Sequence, residues 1–229
     1  MSNKHGDFPT LLSLSFAQIK THGSARLRSL LSGLTFAIVA LSVGCGEQSP
    51  VLPALAKDAV ILAFGDSLTE GTGAREAFSY PQQLQQLTGL TVINAGVAGE
   101  VSRAGLERLP SELAKHSPDI VILCHGGNDL LRKLDKTALR KNLNDMIKLT
   151  QEKGIRIVLI GVPKPALLLG PDPLYSDLVD QHELVANLDI ISKVLSRQEW
   201  KSDAVHPNAA GYQQIAEAIH TTLSKAGAL

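Results

Sequence analysis

The second part of the chain contains four runs of mostly apolar residues. They are AVILAF at 59–64, LTVINAG at 90–96, DIVILC at 119–124 and IRIVLIGV at 155–162. Runs of this length are typical of strands that are buried on both faces, as in a parallel sheet. Residues 163–200 contain four prolines and show a less regular pattern. In that region we predict loops, one helix and one short strand around 187–191.

The segments between these runs carry apolar residues at helical spacing. We predict helices at 102–117, at 136–154 and after Asn208. Within the first of them, Pro110 is expected to interrupt the helix or to begin part of it. Strands that alternate with helices predict right-handed crossovers and a parallel sheet with helices on both faces. The predicted fold class is therefore α/β, a three-layer α/β/α sandwich with a flavodoxin-like parallel sheet.

The N-terminal region has the pattern of an export signal. Two arginines precede the largely apolar residues 30–43, a stretch too short to span a bilayer as a helix. The following Gly44-Cys45 resembles the lipobox of bacterial lipoproteins, in which the cysteine is lipidated, although Ser42 stands where leucine is usual. An ordinary cleaved signal and a retained membrane anchor are the alternatives. We therefore predict an exported protein, periplasmic or in the cell envelope, bound to the membrane through a lipid on Cys45.

This interpretation divides the chain into three parts. Residues 1–44 form an N-terminal extension and signal peptide, 45–57 form a linker with two prolines and no periodicity, and 58–229 form the predicted domain. The net charge of the whole chain is zero, but beyond residue 44 there are 18 basic against 21 acidic side chains. Such a domain lacks the basic surface that nucleic-acid binding requires. The two cysteines fit neither a disulfide framework nor a metal site.

Candidate chemistry lies where the predicted strands end, which is where open parallel sheets bind ligands. In GDSL at 65–68, Ser67 is either a nucleophile or the cap of the next helix. The segment lacks the G-x-S-x-G and P-loop patterns. In NAGVAGE at 94–100, Gly99 either permits a turn or presents a backbone N–H to a ligand.

Two later segments add further polar side chains. In CHGGNDLLR at 124–132, Asn128 is either a turn residue or an amide donor, and His125 is expected to be a packed histidine without an orienting acid. In SDAVHPNAAGY at 202–212, Asp203 and His206 are three residues apart. They are either a general base with its orienting carboxylate, or a loop acid and a solvated histidine.

Together these four segments resemble the GDSL (SGNH) hydrolase family, in matching order from Phe64 to Tyr212. CHGGNDLLR and SDAVHPNAAGY are similar to the bacterial arylesterase and acyl-CoA thioesterase-lysophospholipase branch. The resemblance implies the SGNH hydrolase fold and a serine esterase with a triad. The implied catalytic residues are Ser67, Asp203 and His206, and the implied oxyanion hole consists of the backbone N–H groups of Ser67 and Gly99 and the side chain of Asn128.

The resemblance also implies that no cofactor or metal is needed. For Asp66, which is part of the family motif, we expect a hydrogen-bonding role rather than a catalytic one. The predicted partner is a small ester or lipid substrate, including thioesters and lysophospholipids. Leu167, Leu168 and Leu169 either line an acyl site or form a buried apolar loop. The alternatives are a carbohydrate O-acetyl esterase and a non-catalytic envelope lipoprotein.

Overall fold

Five parallel strands form one sheet in the computed structural model, which describes residues 50–164 and 170–229. In chain order the strands are Val60–Gly65 (β1), Thr91–Gly96 (β2), Ile120–Cys124 (β3), Arg156–Ile160 (β4) and Val185–Asn187 (β5). They lie side by side in the order β2-β1-β3-β4-β5 and every pair is parallel. This is the strand order of a flavodoxin-like sheet, so the predicted fold class is confirmed.

The central strands are buried on both faces, as their apolar runs predicted. All five residues of β3 are buried, and so are the last five of β1. The prediction for the short strand was wrong in position, because β5 ends at Asn187 instead of continuing to Ile191. The Asn187 side chain accepts a hydrogen bond from the Ile190 N–H, and this turn leads into a helix. A short apolar pair such as Ile190-Ile191 fits a buried helix as well as a strand.

Helices follow each strand and pack in two groups. In chain order they are Ser67–Glu70 (α1), Tyr80–Thr88 (α2), Ser102–His116 (α3), Gly127–Leu131 (α4), Lys136–Glu152 (α5), Pro173–His182 (α6), Ile190–Leu195 (α7) and Ala209–Lys225 (α8). Helix α2 packs against α8, which also contacts α7, and helix α3 packs against α5. The two groups form the outer layers of the sandwich, with the sheet between them.

Helix α3 runs without interruption through Pro110, so the prediction of a break there was wrong. Pro110 is exposed, whereas Leu109 and Leu113 are buried in the core. A proline inside a helix removes one backbone hydrogen bond. Burial of the apolar face of α3 outweighs that loss, which a local sequence pattern does not reveal.

The packed part of the chain begins before residue 58. The Leu52 N–H donates to the Ala226 carbonyl at 2.7 Å and the Leu55 N–H donates to the Ala228 carbonyl at 2.9 Å, just beyond the end of α8. The Leu52 side chain is buried in the core. Part of the predicted linker is therefore attached to the folded domain.

Two groups of predictions lie outside the described residues. They are the signal peptide with Cys45, and the leucines at 167–169. Among residues 50–164 and 170–229, no helix has both the length and the apolar character that crossing a membrane requires.

Candidate active site

Ser67 is the first residue of helix α1, directly beyond the end of β1. The cap of this helix is Asp66, whose Oδ1 accepts a hydrogen bond from the Leu68 N–H at 3.1 Å. The interpretation of Ser67 as the cap is therefore wrong. Because Asp66 satisfies the helix N-terminus, the Ser67 hydroxyl is free to contact other groups.

Asp66 also joins two loops of the site. Its second carboxylate oxygen, Oδ2, accepts a hydrogen bond from the Gly127 N–H at 3.1 Å, at the start of α4. Burial raises the pKa of Asp66, although the nearby His125 and the N–H donors of Leu68 and Gly127 act in the opposite direction. The carboxyl thus ties the loop after β1 to the loop after β3, as its expected hydrogen-bonding role suggested.

The structure brings Ser67, His206 and Asp203 into one hydrogen-bonded line. His206 Nε2 lies 3.1 Å from Ser67 Oγ, across 139 positions of sequence, and His206 Nδ1 lies 2.8 Å from Asp203 Oδ2. Asp203 Oδ1 accepts hydrogen bonds from the backbone N–H groups of Val205 and His206 at 2.8 and 2.9 Å. The Asp-x-x-His segment is therefore a turn closed by its own carboxylate.

These contacts also set the charge of Asp203. Its partial burial raises the pKa, but the hydrogen bonds from the Val205 N–H and from the His206 ring and N–H outweigh this and lower the pKa below its ordinary value. The carboxylate is thus ionised at all pH values near neutrality, as the orienting partner of a histidine must be.

The turn that carries His206 is supported by the loop after α1. Gly73 has a φ of +99° and lies so close to Ser202 and Pro207 that a Cβ at this position would overlap both. The Tyr212 hydroxyl donates to the Thr72 carbonyl at 2.7 Å, which holds the same loop on helix α8. The position of His206 thus depends on a close approach of two loops from opposite ends of the domain.

Asn128 is hydrogen-bonded to the loop between β2 and α3 that carries Gly99. Asn128 Nδ2 donates to the Glu100 carbonyl at 3.1 Å, and Arg132 Nη2 donates to the Gly99 carbonyl at 2.8 Å. These bonds fix the two peptide groups that follow the Gly99 Cα. The hydrogen bonds of the described residues include none from the backbone N–H of Ser67 or Gly99.

A cavity of about 260 Å³ opens beside Ser67, and Asn128 and His206 also line it. Its remaining lining is mostly apolar and includes Leu68, Leu131, Val162, Leu195 and Val205. Sequence reasoning missed these apolar residues. Val162 is the last residue of the apolar run at 155–162 and Leu131 lies inside CHGGNDLLR, so both positions offered a signal in the sequence, whereas Leu195 offered none.

Sequence reasoning also missed a buried ionic cluster beside the site. His125 Nε2 lies 3.1 Å from Glu100 Oε2, and Arg108 donates to both carboxylate oxygens of Glu100, from Nε at 2.9 Å and from Nη2 at 2.7 Å. The expectation that His125 has no acidic partner was therefore wrong. The two segments that meet here follow different strands, so neither predicts the contact alone.

The described residues contain no group of three or more His, Cys, Asp or Glu side chains suited to holding a metal ion.

Several known proteins are similar to this chain in sequence. A model of the GDSL-like lipase/acylhydrolase family matches residues 63–214. An arylesterase of Vibrio mimicus is 30% identical over 179 residues, which cover 72% of this chain and 88% of that protein. Esterase TesA of Pseudomonas aeruginosa is 26% identical over 209 residues, covering 86% of this chain and 98% of that protein. A thioesterase 1/protease 1/lysophospholipase L1 of Escherichia coli K12 is 26% identical over 165 residues, covering 69% and 79%.

Solved structures show the same fold. The crystal structure of TesA superimposes with a TM-score of 0.68 at 27% identity, covering 73% of this chain and 99% of that chain. The crystal structure of AlinE4, described as an SGNH-hydrolase family esterase, gives a TM-score of 0.58 at 32% identity, covering 76% and 98%. The likeness thus extends over nearly the full length of TesA and AlinE4 and over about three quarters of this chain.

Proposed function

Because this chain belongs to the GDSL-like lipase/acylhydrolase family and is an ester hydrolase, we propose that it cleaves carboxylic esters with Ser67, His206 and Asp203. The observation that carries the proposal is the 3.1 Å contact between Ser67 Oγ and His206 Nε2, with Asp203 on the other ring nitrogen. A carboxylate only accepts hydrogen bonds, so the proton of the neutral imidazole resides on Nδ1. Nε2 is then free to accept the Ser67 proton.

The proposed reaction has two stages. Ser67 Oγ attacks the ester carbonyl carbon while its proton moves to His206 Nε2, and the carbonyl π electrons become an oxyanion. The oxyanion collapses, the bond to the leaving alkoxide breaks, and His206 returns the proton to that alkoxide. Water then attacks the acyl-serine with the same proton transfers, which releases the acid and restores Ser67. Asp203 stabilises the imidazolium that forms in both stages.

We assign the oxyanion hole to the backbone N–H groups of Ser67 and Gly99 and to Asn128 Nδ2. Among the hydrogen bonds of the described residues, neither of these backbone N–H groups has an acceptor. Asn128 Nδ2 carries two hydrogens, and only one of them is used in the bond to the Glu100 carbonyl. Both observations support the assignment. Each such donor typically contributes a factor of ~10²–10³ to turnover.

The apolar cavity supports an ester with an acyl chain as substrate. Leucine and valine side chains line it beside Ser67, and such surface favours a hydrocarbon over a hydroxylated sugar. Thioesters and lysophospholipids present the same acyl group and belong to the proposal. A panel of p-nitrophenyl esters of increasing chain length, run beside a lysophospholipid, tests this assignment. Activity confined to acetyl esters, with acetylated sugars preferred, would instead indicate the carbohydrate O-acetyl esterase.

Replacement of Ser67 by alanine tests the mechanism. We expect Ser67→Ala to abolish hydrolysis of p-nitrophenyl acetate, because the variant lacks the hydroxyl that forms the acyl-enzyme in the proposed mechanism. Its thermal unfolding should match that of the wild type, since α1 keeps its Asp66 cap. A fluorophosphonate should label the wild type and not the variant. Full residual activity would overturn the assignment, and absence of labelling in the wild type would indicate a non-catalytic protein.

Export and lipidation at Cys45 are the remaining part of the proposal. Support comes from the sequence alone, in the charged and apolar segments that precede Cys45. Mass spectrometry of the N-terminus of the native protein tests it. A diacylglycerol-modified N-terminal cysteine supports lipidation, and an unmodified terminus further along the chain contradicts it.

A further inference from the structure

The buried ionic cluster of Glu100, Arg108 and His125 lies behind the loop that carries Gly99. The Glu100 side chain is only 7% exposed, and its two oxygens accept three hydrogen bonds from Arg108 and His125. The three groups do not reach the line of Ser67, His206 and Asp203. The cluster is thus outside the catalytic machinery already described.

The partners of Glu100 are themselves firmly placed. The Arg108 guanidinium lies 4.2 Å from the centre of the Phe64 ring, on strand β1, and its Nη2 also donates to the Ala95 carbonyl at 3.0 Å. Arg108 is thus bound to β1 and β2 as well as to Glu100. A guanidinium that is stacked and doubly hydrogen-bonded loses little further freedom when it binds a carboxylate.

His125 is equally fixed. It is fully buried, and the Gly126 N–H donates to its Nδ1 at 2.9 Å, so Nε2 carries the proton that goes to Glu100. Gly105 on helix α3 makes room for the ring, because a Cβ there would overlap it. The Glu100 carboxylate is therefore held from two sides by groups that belong to rigid elements.

Glu100 in turn determines where two proposed oxyanion donors lie. It follows Gly99 directly in the chain, and its carbonyl accepts the hydrogen bond from Asn128 Nδ2. The neighbouring residues Val97 and Ala98 are exposed, and the other attachments of this loop are the hydrogen bonds from the Val97 N–H to the Gly65 carbonyl at 3.1 Å and from Arg132 Nη2 to the Gly99 carbonyl at 2.8 Å. The side chain of Glu100 is thus a buried anchor of the loop, its neighbour Gly99 carries one donor, and its own carbonyl accepts a hydrogen bond from the other.

We propose that Glu100 is a positioning residue that holds the Gly99 N–H and the Asn128 amide at the place where the oxyanion forms. The inference rests on the proposed function. Oxyanion donors act only at distances of about 2.7–3.1 Å from the developing charge. A displacement near 1 Å in a supporting segment is sufficient to cost roughly 10²-fold in rate.

The test compares Glu100→Gln with Glu112→Gln. A glutamine at position 100 has one acceptor oxygen and one NH₂ group. The NH₂ group then faces the N–H donors of Arg108 or His125 and cannot accept their hydrogen bond. Glu112 is the matched control, because it lies on the same helix as Arg108, 3.7 Å from its Nη1, and contacts neither the loop nor Asn128. Both variants thus remove one negative charge beside the same arginine.

We expect Glu100→Gln to lower kcat for p-nitrophenyl butyrate roughly 10- to 100-fold with KM changed less than about twofold. The acid limb of its kcat/KM profile should stay in place, because the groups around His206 are untouched. Glu112→Gln should keep the wild-type kcat. A purely structural role of Glu100 would lower the unfolding temperature and leave kcat, measured well below that temperature, equal to the control. That result would overturn the inference.

Two further variants keep the outcomes separate. If Glu100→Gln does not fold, Arg108→Lys is tested instead, since a lysine retains the charge but not the bidentate hydrogen bond to the Glu100 carboxylate. A folded Arg108→Lys protein with wild-type kcat would overturn the inference, and a loss in kcat with unchanged KM would support it. Ser67→Ala is run in parallel. If that variant retains activity, the proposed function fails, whereas an inactive Ser67→Ala beside a fully active Glu100→Gln defeats the inference alone.

Discussion

At the scale of single residues, two adjacent side chains have different roles in the site. Asp66 caps helix α1 and joins it to α4, and Ser67 is left with its hydroxyl beside His206. The sequence GDSL contains both residues, but either of them is able to cap a helix, so the division is visible only in three dimensions. Capping by the buried Asp66 carboxyl thus leaves the hydroxyl of Ser67, the proposed nucleophile, beside His206.

Asp203 should matter for orientation of His206 rather than for folding. In Asp203→Asn, the amide NH₂ donates to His206 Nδ1, so the imidazole carries its proton on Nε2 and no longer accepts the Ser67 proton. We expect kcat to fall by roughly 10³- to 10⁴-fold, as for comparable triads. Because hydrogen bonds from the Val205 N–H and from His206 outweigh the effect of burial and lower the pKa of Asp203, the wild-type carboxylate is charged throughout the assay range. Steady-state kinetics across pH 5 to 9 provide the check, and a variant with near-wild-type kcat would contradict this role.

Glu100 should contribute stability that disappears in acid. Burial raises its pKa, but hydrogen bonds from His125 and Arg108 dominate and lower it from 4.5 to about 2. The folded protein therefore gains stability from this ionisation above about pH 4.5, and loses it as the pH falls towards 2. The shift corresponds to about 3 kcal/mol in the free energy of unfolding.

Urea unfolding of the wild type and Glu100→Gln at several pH values measures this contribution. The advantage of the wild type should shrink by about 2 kcal/mol between pH 6 and pH 3. A difference that stays constant over this range would show that the Glu100 pKa is not lowered in the folded protein.

At the scale of elements, the sequence predicted the bounds of the strands closely but not the contacts between the loops that follow them. The apolar runs located β1, β2 and β3 to within one residue at each end, because burial on both faces leaves a continuous local signal. The cluster of Glu100 with His125 left no such signal, since it depends on two loops that converge only after the sheet has formed. Helix α3 continues through Pro110 for a similar reason, because residues that are distant in the sequence bury its apolar face.

The residues of the proposed triad were predictable because each falls in a motif at a strand end or before the last helix. The apolar lining of the cavity was not, because leucine and valine carry no pattern that separates a ligand-binding wall from the core. Leu195 illustrates this, since it belongs to the helical segment α7 and is mostly buried. Motifs thus identify the reacting groups, whereas the shape of the substrate site follows from packing.

Contact between the loop after α1 and the His206 turn should be essential to activity. In Gly73→Ala, the new Cβ would lie 2.5 Å from the Pro207 carbonyl oxygen, so the turn must move. We expect a loss of roughly tenfold or more in kcat, because His206 directly precedes Pro207.

Gly89→Ala is the matched control for this prediction. Gly89 also has a positive φ, +69°, but nothing lies within 4 Å of its Cβ position. Both variants should lose about 1 kcal/mol of stability from the left-handed backbone, while only Gly73→Ala loses turnover. Equal activity of the two variants in steady-state assays would show that the two loops do not depend on each other.

At the scale of the whole molecule, the site lies where the order of the strands in the sheet reverses. Strand β1 has β2 on one side and β3 on the other, and the residues that follow these three strands supply Ser67, Gly99 and Asn128. The connection that leaves β1 runs to β2 on one side, and the connection that leaves the neighbouring β3 runs to β4 on the other, which opens the crevice that ligands occupy in such sheets. The strand order thus explains why the segments after β1 and β3, with Ser67 and Asn128, meet at one cavity.

The extent of the folded unit gives a prediction at this scale. A chain of residues 49–229 keeps the Leu52 and Leu55 hydrogen bonds to the C-terminus, whereas a chain of 58–229 lacks them. Loss of the buried Leu52 side chain and of these bonds should cost about 2–3 kcal/mol. Calorimetry should therefore show a lower unfolding temperature for 58–229, by roughly 5–10 °C. Identical unfolding temperatures would place the start of the domain at residue 58.

Biosynthesis produces Ser67 long before its base, because 139 positions separate it from His206. At a synthesis rate of ~5–20 residues per second, the ribosome needs on the order of ten seconds to cover that distance. In the proposed mechanism, the nascent chain throughout that time holds a serine with no proton acceptor and does not attack an ester. Products of premature termination are inert for the same reason. Hydrolytic activity therefore indicates that translation has passed His206 and that the last helix has packed against the rest of the domain.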